Sequence, residues 1–255
     1  MPAKTILIAT HKGGTGKTVT AMALSAAIAL SKKKCLLVDL DPQGHSTLGL
    51  GLELHEADIT IREVFSEPPQ PISRVIRTTH VPGLDIVPSN IRLARVAQAL
   101  YMRPRREDLL KRALDAIRPQ YDFIIIDCPP SLGILVEIGI AAADLIIIPC
   151  QMEARAADGL VDLLEVITLI RGEQFNAWQI LLTRVDSRRT ITNEAVLASL
   201  SPWKNKILKS CIPQSEPLNQ AQIQRTDIYT FEPKSKGALA YQALKQEIIN
   251  NGKQS

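Results

Sequence analysis

Apolar, β-branched runs alternate with helix-length amphipathic stretches along the whole chain. The runs at 5–10 (TILIAT), 35–40, 84–88, 123–127 (FIIID), 145–149 (LIIIP), 180–183 and 207–212 are predicted strands. Between them the spacing predicts helices over 18–31, 91–99, 107–117, 132–142, 156–171, 193–200 and 237–250. Several runs are apolar without alternation. Such strands are buried on both faces, as in a parallel sheet covered by helices. The repeated β-α order predicts an α/β fold, a single doubly wound and mostly parallel sheet flanked by helices, in one domain over residues 1–255. The first helix is rich in small residues, among them Ala21, Ala23, Ala26 and Ala27, which let it pack closely on that sheet.

Composition changes this picture little. The hydrophobic share of 45% suits a sizeable core. No stretch approaches the roughly 18 uninterrupted apolar residues of a membrane span. The chain enters a predicted strand at once, so no secretory leader is expected and the predicted location is the cytoplasm. Cys35, Cys128, Cys150 and Cys211 are widely spaced, which predicts free thiols and no metal site built on cysteine. The net charge of +4 is uneven. Residues 1–183 hold 19 basic and 20 acidic residues, and residues 184–255 hold 11 and 6, a net of +5 that suits a face for polyanions.

Residues 12–18, Lys-Gly-Gly-Thr-Gly-Lys-Thr, lie between the first predicted strand and the first predicted helix. Strand, glycine-rich turn and helix are the setting of a phosphate-binding loop. The glycines let successive N–H groups turn around an anion, and the helix N-terminus adds partial positive charge. Lys17 supplies a point charge and Thr18 a hydroxyl for Mg²⁺. The common loop begins with glycine where this chain has His11, and Lys12 follows as an additional cation. Asp39 and Asp41 close one predicted strand, and Asp127 closes another. Ligands in such sheets bind at the carboxyl ends of the strands, so these carboxylates converge on the loop, and Asp127 after four apolar residues has the pattern that holds a metal-bound water.

The loop KGG-x-GK-[ST] resembles the deviant Walker A motif of the ParA/MinD family of ATPases. The segment 39–47 (DLDPQG-x-S-T) resembles that family's switch I and 127–133 (DCPPSLG) its switch II, and the likeness continues through 87–90 (VPSN) and 231–241 (FEPKSKGALAY). The resemblance implies an ATP- and Mg²⁺-dependent ATPase that dimerises on ATP. In that reading Gly13, Gly14, Thr15, Gly16, Lys17 and Thr18 bind the phosphates. Thr18, Asp39 and Asp127 serve the metal and its water shell, Asp41 positions the attacking water, and Pro213 frames the adenine. Lys12 reaches the partner subunit's nucleotide in the manner of an arginine finger. The resemblance also implies non-specific DNA binding, with Arg188, Arg189 and Arg225 as candidates, a ParB-like adaptor that stimulates slow turnover, and a nucleoid-associated location. A second basic position expected within 214–219 is absent, and Arg103, Arg105 and Arg106 read as a surface turn.

Two rivals share the fold. A MinD-like membrane switch ends in a basic amphipathic tail helix, whereas 237–250 carries the apolar face of a core helix with a short polar tail after it. An iron–sulfur carrier needs placed cysteine ligands, and Cys128 has no cysteine near it in sequence. Among ParA relatives the cargo can also be a protein cluster or an organelle, which the chain does not specify.

Overall fold

The computed structural model describes residues 2–153 and 156–251. Its strands are β1 (Lys4–Ile8), β2 (Cys35–Asp39), β3 (Arg77–Thr78), β4 (Leu84–Val87), β5 (Phe123–Asp127), β6 (Leu145–Gln151) and β7 (Trp178–Thr183). The helices of the first half are α1 (Lys17–Ala29), α2 (His45–Gly49), α3 (Ile61–Phe65), α4 (Leu93–Leu100) and α5 (Leu109–Asp115). Those of the second half are α6 (Ile134–Ala142), α7 (Asp158–Arg171), α8 (Thr190–Ser199), α9 (Glu216–Ile223), α10 (Ile228–Phe231) and α11 (Lys236–Asn251).

The strands form one sheet in the order β3-β4-β2-β5-β1-β6-β7. Every pairing is parallel except β3 with β4. Alternation along the strands splits the core in two. Leu7, Leu36, Val38, Ile124 and Ile126 face one cluster with residues of α3 to α7. Ile6, Ile8, Cys35, Leu37 and Ile125 face the other with α1, α9, α10 and α11. The sheet is thus wound on both sides, as the continuous apolar runs predict. Close approach is visible at Gly139 of α6, where an added Cβ would stand 2.9 Å from Leu7 Cδ1 of β1.

The predicted strand over 207–212 does not form as such. An isolated parallel bridge joins this stretch to β7 at Ile180 with Ile207, backbone bonds run from Leu208 to Ile180 and from Ile212 to Leu182, and a second bridge lies just past both, at Val185 with Pro213. In between, the N–H groups of Lys209 and Ser210 turn away and donate to the Glu247 carboxylate on α11, each at 2.8 Å. A side chain from a distant helix replaces the ladder there. The seven predicted helices correspond to α1, α4, α5, α6, α7, α8 and α11 to within a few residues, whereas α2, α3, α9 and α10 are not among the predicted elements. The α8 helix begins at Thr190, directly after Arg189. The predicted polar tail beyond the last helix falls on 252–255, outside the described residues.

Candidate functional site

The phosphate loop folds as its glycines require. Gly14 and Gly16 have φ of 75° and 91°, in the left-handed region that side chains disfavour. Cβ atoms added at Gly13, Gly14 or Gly16 would meet nothing within 4 Å, so the loop's concave side is open. Gly16 is the N-cap of α1, which aims that helix's free N–H groups at the same space.

A cavity of about 600 Å³ lies against this loop, lined among others by Gly13, Lys17, Thr18, Asp41, Pro130 and Arg184. Lys17 is buried and donates from Nζ to the Lys12 carbonyl at 3.1 Å. Burial lowers its ammonium pKa, against the pull of the nearby acids. An adjoining cleft of about 290 Å³ takes Thr15, Pro213, Gln214, Asn219 and Gln222 in its wall. Gly13, Gly14, Thr15, Gly16, Lys17, Thr18 and Pro213 therefore line two neighbouring spaces that share Gly16, Val19, Arg184 and Gln222 in their walls.

The carboxylates converge through strand register. Asp39 and Asp127 end neighbouring parallel strands at the same level. Asp39 accepts from the Thr47 N–H and hydroxyl at 2.8 and 2.7 Å and from the Asp41 N–H at 3.1 Å. It therefore ties the start of α2 to the sheet. Asp127 accepts from the Ser46 hydroxyl at 2.7 Å. Both carboxyl groups are fully buried, and burial pushes both pKa values up, with the Asp127 charge adding to the rise at Asp39. Asp127 Oδ1 is buried without a hydrogen-bond partner among the described residues. A carboxylate oxygen left over next to Thr18 is what a hydrated Mg²⁺ ion would use, so the residues present fit the metal. Asp41 lines the cavity and accepts from the Gln43 N–H at 2.9 Å.

Lys12 stands apart from this cavity. Its stem lies over Gly159 of α7, where an added Cβ would come within 3.2 Å of Lys12 Cγ. The preceding His11 pairs through Nδ1 with Asp162, one helical turn further along α7, at 2.7 Å. The start of the loop is thus moored on α7 while Lys17 turns inward.

Of the three arginines expected at DNA, two engage acids of their own chain. Arg188 grips Asp186 with Nε and Nη2 at 2.9 and 2.8 Å. Arg225 bonds Glu53 at 2.7 Å. Arg189 is exposed at the N-cap of α8 and lines the cleft beside Pro213. Sequence reasoning missed Arg184, which follows β7 with φ of 52° and lines both spaces. The rule that singled out the aspartates, a position just past a parallel strand, applies equally to this cation. It also missed the mooring on α7, since no local pattern joins residues 11 and 162.

A family model described as an AAA domain matches residues 3–180. The sporulation initiation inhibitor protein Soj of Bacillus subtilis is 36% identical over 252 residues, covering 98% of this chain and 99% of the relative. The chromosome partitioning protein ParA of Myxococcus xanthus is 36% identical over 247 residues, covering 96% of this chain and 87% of the relative. Among solved structures, cobyrinic acid a,c-diamide synthase from Mycobacterium smegmatis, with bound ATP analog and magnesium, superposes with a TM-score of 0.84 at 32% identity, covering 98% and 96% of the two chains. Identity of this order, carried end to end through the phosphate loop and both aspartate-bearing strands, makes the chain a member of the Soj/ParA family of P-loop ATPases.

Proposed function

We propose that the 255 residues act as one ATPase domain that dimerises on ATP and Mg²⁺ and binds DNA without sequence preference. With a ParB-like adaptor it segregates plasmid or chromosomal DNA in the cytoplasm, on the nucleoid. The observation that carries this reading is the separation of the two lysines. Lys17 faces the phosphate cavity of its own chain, whereas Lys12 is moored on α7 and lines a different space. A loop that served only its own subunit would not need the second cation. The relatives named for chromosome partitioning point the same way.

In this mechanism the loop N–H groups and Lys17 hold the β- and γ-phosphates. Thr18 and Asp127 would hold the metal, the unpartnered Asp127 oxygen supplying a free acceptor there, with Asp39 beside its water shell. Mg²⁺, when bound, neutralises charge as it develops on the phosphates. Asp41 orients the attacking water from the cavity wall. Lys12 of one subunit stabilises the charge on its partner's nucleotide. Asp39 holds α2 in register, so that Ser46 stays on Asp127. Pro213 and the amides of the adjoining cleft take the adenine.

Lys12→Ala tests the reading. Nucleotide binding is expected to persist, while ATP-driven dimerisation followed by light scattering, and hydrolysis with it, are lost. A variant that dimerises and hydrolyses like the parent overturns the role across the interface.

A further inference from the structure

The arginine cluster that reads as a surface turn in the sequence belongs to a larger surface. Residues 91–112 hold seven basic and two acidic residues, a net of +5 that exceeds the +4 of the whole chain. Elsewhere in residues 1–183 this excess is offset by acids, so the regional sum hides it. The structure divides the seven. Arg92 bonds Glu56, Arg103 bonds the Phe65 carbonyl at 3.0 Å, and Arg106 bonds the Tyr101 carbonyl at 3.3 Å and faces Glu137. Arg95, Arg105, Lys111 and Arg112 are exposed, and their side chains have no hydrogen bond or ion pair among the described residues.

Large apolar side chains sit among these cations. Ile91, Tyr101 and Met102 are 64%, 50% and 89% exposed. Ile91, Arg95, Gln98 and Met102 follow one another at helical spacing, so they form a single outward stripe on α4 and its end turns. The α4 and α5 helices and the turn at 106–108 all pack on α6, which brings the basic residues of 91–112 around one helix. Tyr101, next to Met102, reaches the phosphate site's own loop. Its hydroxyl accepts from the N–H of Ile134, the first residue of α6, directly after the segment 127–133.

We infer that this stripe, with the turn that follows it and the start of α5, is a docking surface for an acidic, amphipathic segment of a partner protein, with carboxylates against Arg95, Arg105, Lys111 and Arg112 and apolar side chains against Ile91, Tyr101 and Met102. Charge complementarity selects an acidic partner. The apolar members select a peptide over a nucleic acid, because a phosphate backbone offers nothing to Ile91 or Met102. Arginine, tyrosine and methionine are also the side chains that interfaces between proteins enrich. The surface is separate from Arg188 and Arg189, so it stands whether or not those residues meet DNA.

The test is fluorescence anisotropy with the whole chain and a labelled 18-residue peptide of Glu, Leu and Phe at amphipathic spacing. Salt-sensitive binding is expected, weakened about tenfold by Arg95→Glu with Arg105→Glu. Met102→Ala is expected to weaken it several-fold at unchanged charge. Arg188→Ala with Arg189→Ala is expected to leave it as it was. All of these residues are exposed, and circular dichroism checks that each variant folds. Peptide binding indifferent to the 95/105 pair and to Met102 overturns the inference. So does random duplex DNA that outcompetes the peptide and is itself lost in the 95/105 variant, which would make the stripe a nucleic-acid face.

Discussion

Asp41 and Arg188 are both held by their own chain, with opposite consequences. Asp41 uses one oxygen on the Gln43 N–H and keeps its carboxylate in the cavity wall. Asp41→Ala is expected to retain ATP and the ATP-dependent dimer while hydrolysis stops, since an interaction needed only for the chemical step is removed. Nucleotide affinity measured by equilibrium dialysis checks this, and loss of binding would make the residue a structural support. Arg188 is committed to Asp186, whose carboxyl is pushed down to about 2 by the hydrogen bonds from Arg188. The usual aspartate pKa is about 3.9. The clamp is therefore complete above that value and loosens only as pH falls toward the folded one, so pH near neutrality cannot release the arginine. Asp186→Asn is expected to release it and to tighten ATP-dependent binding of random duplex in a filter assay. Arg188→Ala with Arg189→Ala is expected to weaken that binding and flatten its salt slope by roughly one unit per lost phosphate contact. Unchanged affinity in both variants would remove this loop from the DNA face.

At the scale of elements, the parts that were legible in the sequence are those whose surroundings are uniform. FIIID and LIIIP are buried on both faces, so their composition alone announces them, and an aspartate just past such a run marks the site edge. The phosphate loop is legible because its backbone angles at 14 and 16 favour glycine strongly. The five-residue helices α2 and α3 and the two-residue β3 were not read from the sequence. The α2 helix is held by contacts distant in sequence, β3 is too short to carry a pattern, and the Thr60–Glu63 capping box that opens α3 is a local signal that sequence reasoning missed. The Ser46–Asp127 bond spans 81 positions, for example. The same holds for 207–212, which has strand composition but gives two N–H groups to Glu247. Glu247→Ala is expected to cost about 1–2 kcal/mol in urea unfolding, the low end for hydrogen bonds to a charged group because solvent reaches both donors. Gly139→Ala is expected to shift stability by no more than about 1 kcal/mol, because the added methyl meets only the end of the Leu7 side chain, which must move, while alanine favours the helix by about as much. A loss of several kcal/mol would show that Leu7 cannot give way.

The whole molecule places its nucleotide site on the carboxyl edge of the sheet, where β1, β2 and β5 end together. Ligand occupancy there is expected to raise the apparent melting temperature. A ligand at a hundred times its Kd adds about 2.7 kcal/mol to a protein that binds it only when folded. Mg-ATP is expected to do so for the parent chain and much less for Lys17→Ala, whose missing ammonium lines the phosphate cavity. Equal thermal shifts in differential scanning fluorimetry would place the nucleotide elsewhere.

The two lateral margins of the sheet are both occupied. On one side β3 is only two residues long, and the Arg77 guanidinium bonds the carbonyls of residues 74 to 76. On the other, the chain near 207–214 takes up donors and acceptors along β7, with Leu208 on Ile180, Ile212 on Leu182, and Val185 in turn on Ile212. Among the described residues no long bare strand is offered as a template for another copy. Growth by stitching strand to strand, which proceeds without limit and is hard to reverse, is disfavoured. Copies that meet as proposed would do so through side chains at the loop end or on the helical flanks. Contacts of that kind are finite in number and can be withdrawn when the bound nucleotide changes, which is the property a device that assembles and disassembles in cycles requires.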